Sequence, residues 1–546
     1  MTRSRPLLIC AVVLGAVAIP ATGAQAAVRA ASPHAASCSD SWKSPVSGLW
    51  GVGANWSNGQ IPAGTDDVCI TVPGTYTVTL APWSIGTDDP NHAGADANAL
   101  TLGAAGGTGR QTLVVAGQGS ISNSNEQVST VFLDVGAAST ITAHGNLVLD
   151  STDGGTTLKG NPSGGYAAVD GASFFNYGSI EAETQAPANK LADFTQFEAP
   201  LTNEAHAGVD DISGQLREDS ITNDGSFTVG SAASMTLVPL QGVYGLPASF
   251  TNDGALVNDG SITANQTAGV VTWTQAGGPI KGNEVVLGGG ATLVDKSGTA
   301  QFFVSSIAAK VTGTIPAGQK ITVVGEAYTS DGDAYNGTTL SLDGGTVVND
   351  GTLVLDAQGS GTKTGGPAIV NDGSIRNDGT IVAEVTDQSW TVQYQAGLAN
   401  THAGTLKVTG GTFNDDGGGA VANDGTVEIG PRALYLMQEG AAFTNEADGT
   451  IVPQIASTKS LGQFQLTSPC CSGPGRFVAG GSLLPELVGP APTANTVLQL
   501  FLLSGGSFKG TFARLGKRFT ADYSHESASP AFVGAIYDDS GKGPKS

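Results

Sequence analysis

Asn371-Asp372-Gly373-Ser374-Ile375 is followed, after Arg376 alone, by a near-copy, Asn377-Asp378-Gly379-Thr380-Ile381, and the phrase returns as Asn423-Asp424-Gly425-Thr426-Val427. Asn-Asp-Gly also begins at Asn223, Asn252, Asn258 and Asn349, each time followed by a small residue and then an apolar one. Altered corners occur at Asn176-Tyr177-Gly178 and in the longer spans Asn203 to Gly208, Asn400 to Gly404 and Asn445 to Gly449. A fixed corner followed by a short apolar strand, many times over, is the signature of a solenoid. Asn349, Asn371, Asn400, Asn423 and Asn445 lie 22, 29, 23 and 22 residues apart, with Asn377 inserted six after Asn371. A repeat of 20–23 residues fits one coil of three short strands and three turns. The expected fold is therefore all-β, a parallel β-helix. Asn and Gly accept left-handed backbone angles at the corners. Equivalent Asn side chains should stack into amide ladders, and strand alternation should bury one apolar face.

Composition agrees. The chain has 546 residues, 79 of them Gly, with 13% charged and 6% aromatic. Mean hydropathy is +0.03, and regular Val, Ile and Leu positions argue for ordered strands rather than disorder. Residues 1–26 read as a secretory signal: Arg3 and Arg5, an apolar run from Leu7 to Ile19, and Ala24-Gln25-Ala26 as a small-x-small cleavage site. The expected location is extracellular. Without those two Arg the chain holds 22 basic and 47 acidic residues, a net −25. That balance opposes nucleic-acid binding. No apolar run is long enough for a membrane span in the mature chain.

The expected organisation is signal peptide 1–26, flexible Ala/Ser/Pro-rich segment 27–37, N-terminal cap module 38–95, β-helix repeats 96–480 and C-terminal β cap 481–546. Four cysteines remain after the signal. In a secreted chain they suggest disulfides. The expected pair is Cys38 with Cys69, leaving Cys470 and Cys471 bonded to each other or reduced. The cap carries Trp42, Trp50 and Trp56. Packing that closes the stack is one use for them; Trp50 and Trp56 as a sugar platform is the other.

The Trp50…Asn55-Trp56-Ser57-x-Gly59-x-x-Pro62…Asp66 opening and the Asn-x-Gly-Ser/Thr-Ile/Leu repeats resemble bacterial secreted β-helix proteins, including autotransporter passenger regions. The resemblance covers most of the chain after the signal. It implies an extracellular, right-handed parallel β-helix. The chain departs from autotransporters in carrying no recognisable translocator barrel, which puts self-transport in doubt.

Chemistry is sparse. Asp210 and Asp211 near His206 are the candidate acid–base group for cleaving a polysaccharide, but no Arg-x-Lys follows in the repeats. Asp331, Asp333 and Asn336, with alternating oxygens and Gly337, are candidate Ca²⁺ ligands, although the closing Glu of a calcium loop is missing. No other cofactor is implied, and no Ser-His-Asp grouping is recognisable. The expected role is structural or adhesive, with an extracellular polysaccharide or a cell-surface protein as partner. A polysaccharide-degrading enzyme on the same fold and a carbohydrate-binding protein using the N-terminal Trp residues stay open as alternatives.

Overall fold

In the computed structural model the Asn-Asp-Gly corners stack, and the chain winds as a parallel β-helix. The structure describes residues 37–81, 92–118, 120–122, 125–127, 129–152, 165–184, 194–239, 247–265, 269–305, 308–325, 327–330, 333–357, 366–385, 390–468, 473–526 and 531–539. The signal segment, Cys470, Cys471 and Asp331 lie outside them.

Three faces of parallel strands make each coil. In the N-terminal half, one turn of the helix runs through Ala255–Asn258, Ser261–Ala264 and Val271–Gln275. Each pairs in register with the same face of the next coil, as in Ile262 with Val285 and Trp273 with Leu293. Strand burial alternates, with Phe250, Leu256, Ile262 and Trp273 fully inside. Aromatic rings continue the stacking from rung to rung: Phe250 lies on Trp273 with centroids 4.3 Å apart, and Phe443 lies on Phe477 at 5.0 Å.

The coil is not uniform. Val285 stacks on Phe302 and Phe302 on Ile321, only 17 and 19 residues apart. Later coils on that face, Ile381 to Leu406 to Val427 to Ile451, take 25, 21 and 24. The narrow coils mark an exchange of faces. The face holding Ala255–Asn258 pairs once more, with Ile280–Gly282. A new face opens where the strand Ala309–Ile315 forks: Ala309 and Lys310 pair with Leu340 and Ser341, whereas Thr314 and Ile315 pair with Val348 and Asn349.

The interior of one corner carries the expected amide ladder. Asn176 Nδ2 donates to Asn203 Oδ1 (2.9 Å), Asn203 to Asn223 (2.8 Å), Asn223 to Asn252 (2.9 Å), and Asn252 to Gln275 Oε1 (3.4 Å). After the narrow coils a second ladder runs Asn349 to Asn377, Asn400, Asn423 and Asn445, each step 2.6–2.7 Å. All these amides are at most 2% exposed. The altered corners at Asn176, Asn203, Asn400 and Asn445 thus occupy the same column as the regular ones.

Six of the seven Asn-Asp-Gly corners share a backbone device that the sequence reading explained wrongly. Their glycines are not left-handed. Instead the Asp and Gly N–H groups both donate to one carbonyl of the coil below: Asp378 and Gly379 to Asn349 O at 2.8 and 2.7 Å, Asp424 and Gly425 to Asn400 O at 2.8 and 3.1 Å. The pairs at Asp224, Asp253, Asp259 and Asp350 do the same. Two successive N–H groups converging on one oxygen form a nest. Glycine is needed there because a Cβ would strike the lower coil: at Gly379 it would sit 2.3 Å from Gly351 O, at Gly254 2.2 Å from Gly225 O.

Both ends are closed. Trp56 Nε1 donates to Trp50 O at 2.7 Å, and Trp42 stacks on Tyr76. Cys38 is bonded to Cys69, Cα atoms 5.7 Å apart. The strands Asp67–Ile70 and Tyr76–Leu80 already pair in parallel with the next coil, so winding begins inside the 38–95 stretch. At the far end, Ala531–Tyr537 runs antiparallel to both Val497–Ser504 and Phe519–Asp522. That reversal ends the parallel array.

Candidate functional site

The seventh corner, Asn371-Asp372-Gly373, breaks the rule its sequence obeys. It falls inside the long strand Ala368–Asn377, where the register shifts between Asn371 and Ser374. Asn371 is absent from the amide column, and its buried Oδ1 has no hydrogen-bond partner. Asp372 adopts φ 58° and Gly373 φ 152°. One coil earlier, Asp343 and Gly344 are also left-handed, at 51° and 72°. Non-glycine residues in that region carry strain and gather at functional sites.

These two corners line an open cavity of about 490 Å³ with Lys310, Ser341, Gly344 and Gly373. The forked strand supplies Lys310, whose register partner is Ser341. Lys310 Nζ lies 2.9 Å from Asp343 Oδ1, and both side chains are about half exposed. Such a pair contributes at most ~1 kcal/mol to stability. Ser341 Oγ donates to Asp372 Oδ2 at 3.4 Å, and Gly344 N donates to Asp372 O at 2.5 Å. The cavity therefore offers one ammonium, two carboxylates and a hydroxyl, which together suit hydrogen bonding to a hydroxyl-rich ligand. Sequence reasoning missed it. The available signal was the irregular spacing, two Asn-Asp-Gly corners only six residues apart.

The sequence candidates lie elsewhere and apart. Asp210 is exposed while Asp211 is 1% exposed and points into the core. Neighbouring residues on a strand face opposite ways, so these two carboxylates do not share one site. His206 sits on an exposed corner with φ 74°. Trp50 and Trp56 are fully buried in the cap, so neither ring is presented to a sugar. Asp333 and Asn336 bound the strand Asp333–Asn336, which pairs antiparallel with Ala327–Ser330 as a hairpin. Among the described residues no three His, Cys, Asp or Glu side chains are grouped to hold a metal ion. No helix there is long and apolar enough to cross a membrane.

Asp522, Ser524 and His525 do meet, although the sequence reading recognised no such trio. Ser524 Oγ and Asp522 Oδ2 both lie 3.0 Å from His525 Nδ1, and Ser524 Oγ is 2.5 Å from Asp522 Oδ1. Nucleophilic relay needs serine and carboxylate on different ring nitrogens. Here both share Nδ1, so the group is a capped turn. His525 stacks on Phe532 at 4.4 Å.

Several acids are held inside the coil. Burial pushes Asp211 and Asp295 up to about 8 and Asp415 up to about 7, and it pushes Glu218 well above the usual carboxylate range. Asp295 occupies the ladder column directly after Gln275 and accepts from Gln319 Nε2. Asp415 accepts from Tyr435 OH at 3.1 Å. These groups sit among core side chains, out of reach of a polymer substrate.

Compared with known proteins, the chain matches no family model and no curated protein significantly.

Proposed function

We propose that this chain is a secreted, non-catalytic β-helical protein with a structural or adhesive role, a stiff rod that presents its corners to an extracellular polysaccharide or a surface partner. The observation that carries this reading is the internal polar column. Buried amides bonded rung to rung, with aromatic stacks beside them, link many coils into one continuous, cross-braced array. On the face bearing Ile262 and Val285 the rungs run from His92–Ala97 to Arg514–Leu515. At about 4.8 Å per rung the array is ~80 Å long. The corner cavity at Lys310, Asp343 and Asp372 suits contact with sugar hydroxyls and supplies the adhesive half of the proposal.

The test is incubation of the purified protein with immobilised neutral and acidic polysaccharides, scoring retention and chain ends together. Retention that weakens in Asp343→Ala and Asp372→Ala variants, with no new ends, supports the reading. New reducing or unsaturated ends formed in excess of the protein added would make it an enzyme and sink the proposal.

A further inference from the structure

Asp-Gly is a reactive sequence. The glycine nitrogen can attack the aspartate Cγ, forming an N–Cγ bond and expelling water to give a five-membered imide. Water then opens the ring at either carbonyl, and one product is isoaspartate, whose backbone runs through the side chain. No oxidant or cofactor is consumed. The reaction needs a glycine nitrogen free to turn toward its neighbour's carboxyl and lose its proton.

Six of the seven Asn-Asp-Gly corners withhold that nitrogen. Gly225, Gly254, Gly260, Gly351, Gly379 and Gly425 each donate their N–H to a carbonyl of the coil beneath, at 2.7–3.2 Å. The preceding Asp N–H is fixed on the same oxygen. A corner held by two bonds to another coil cannot rotate to the imide geometry without leaving the stack. Asp372-Gly373 is different. The register skips it, so neither residue has a register partner in the coil below or the coil above, and the coil beneath reaches it at the Asp372 carbonyl, which accepts from Gly344 N at 2.5 Å. Its carboxylate is exposed on the cavity wall, with the Ser341 hydroxyl 3.4 Å from Oδ2.

We propose that the Asn-Asp-Gly corners are folding-gated sites of aspartyl isomerisation: stacking shields six of them, and Asp372 is the one that converts to isoaspartate in the intact protein. Conversion there inserts a backbone carbon into the cavity wall and moves the carboxylate, so the cavity changes with the age of the molecule. The inference does not depend on the proposed function.

The experiment incubates the folded protein, and the same protein in urea, at neutral pH and body temperature. Peptide mapping with electron-transfer fragmentation and labelling by an isoaspartyl methyltransferase counts isoaspartate at each corner. In the folded protein, Asp372 should outpace each of the other six at least about tenfold, because those six react only from locally opened coils. In urea the seven rates should converge. Asp372→Glu, which disfavours ring closure, should remove the fast site and leave the others unchanged. If that variant does not fold, the folded-against-urea comparison still decides. The proposal fails if the six react as fast folded as unfolded, or if Asp372 is no faster than they are.

Discussion

Replacing Asn377 and Asn371 by Ala, one at a time, should separate two identical tripeptides by their energies. Asn377 accepts from Asn349 at 2.7 Å, and its Nδ2 donates to Asn400 Oδ1 at 2.7 Å and to Thr405 O at 3.2 Å. It is fully buried. Truncation removes these bonds at about 1 kcal/mol each and leaves Asn400 Oδ1 without its donor, a further 1–3 kcal/mol or so. A small cavity adds to that. The sum is about 4–6 kcal/mol before the cavity is counted. Asn371 makes no ladder bond, and its Oδ1 is already unpartnered, so Asn371→Ala should cost less than about 1 kcal/mol. A stack of repeats does not open in one cooperative step, so the readout must be local. Hydrogen exchange of the Asp378 and Gly379 amides, both bonded to Asn349 O, reports that corner directly. Asn377→Ala should speed their exchange by about a hundredfold or more, at about 1.4 kcal/mol per factor of ten. Asn371→Ala should hardly change it. Equal effects from the two substitutions would refute the claim that stacking, not sequence, gives a corner its strength.

Three more outcomes follow from the same geometry. Asp295, 1% exposed and with its carboxyl pushed up to about 8 by burial, binds its proton more tightly folded than unfolded. Its penalty is therefore absent below about pH 4 and grows to a ceiling on the order of 5 kcal/mol by pH 8. Asp295→Asn should leave urea resistance unchanged in acid and raise it at alkaline pH; a benefit of equal size in acid would contradict this. Gly379→Ala should destabilise by more than about 2 kcal/mol because its Cβ meets a carbonyl 2.3 Å away, whereas Gly59→Ala, left-handed but with nothing within 4 Å, should cost only about 1–2 kcal/mol. Hydrogen exchange of the amides around each corner checks the order. Reducing Cys38–Cys69, 31 residues apart, should weaken the cap by about 3–4 kcal/mol. The buried Trp42, Trp50 and Trp56 would report it as a red shift in fluorescence at lower urea.

How much of this was legible depended on whether the cause was local. The recurrence of Asn, Gly and an apolar residue every 20–23 positions marks a coil, because a corner and a short strand are decided within a few residues. The same recurrence placed Asn176, Asn203, Asn400 and Asn445 in the ladder despite their altered turns. Cys38 and Cys69 were the expected pair because both fall in one N-terminal module, and they are bonded. The acids at Asp210 and Asp211 misled, because adjacency in sequence is opposition across a strand.

The sequence by itself determined the recurrence of the corners and the polarity of the strand faces, and it named Cys38 and Cys69 as the expected pair. Only the tertiary structure decided why the corner glycines are needed, which of seven identical tripeptides would grip the coil beneath, and where the faces exchange. Those outcomes are set by the rung below, whose carbonyl accepts both corner N–H groups at Asp378 and Gly379, whereas at Asp372 and Gly373 the register skips the corner. The contact between coils joins residues twenty or more positions apart, and a tripeptide carries no record of what it will land on.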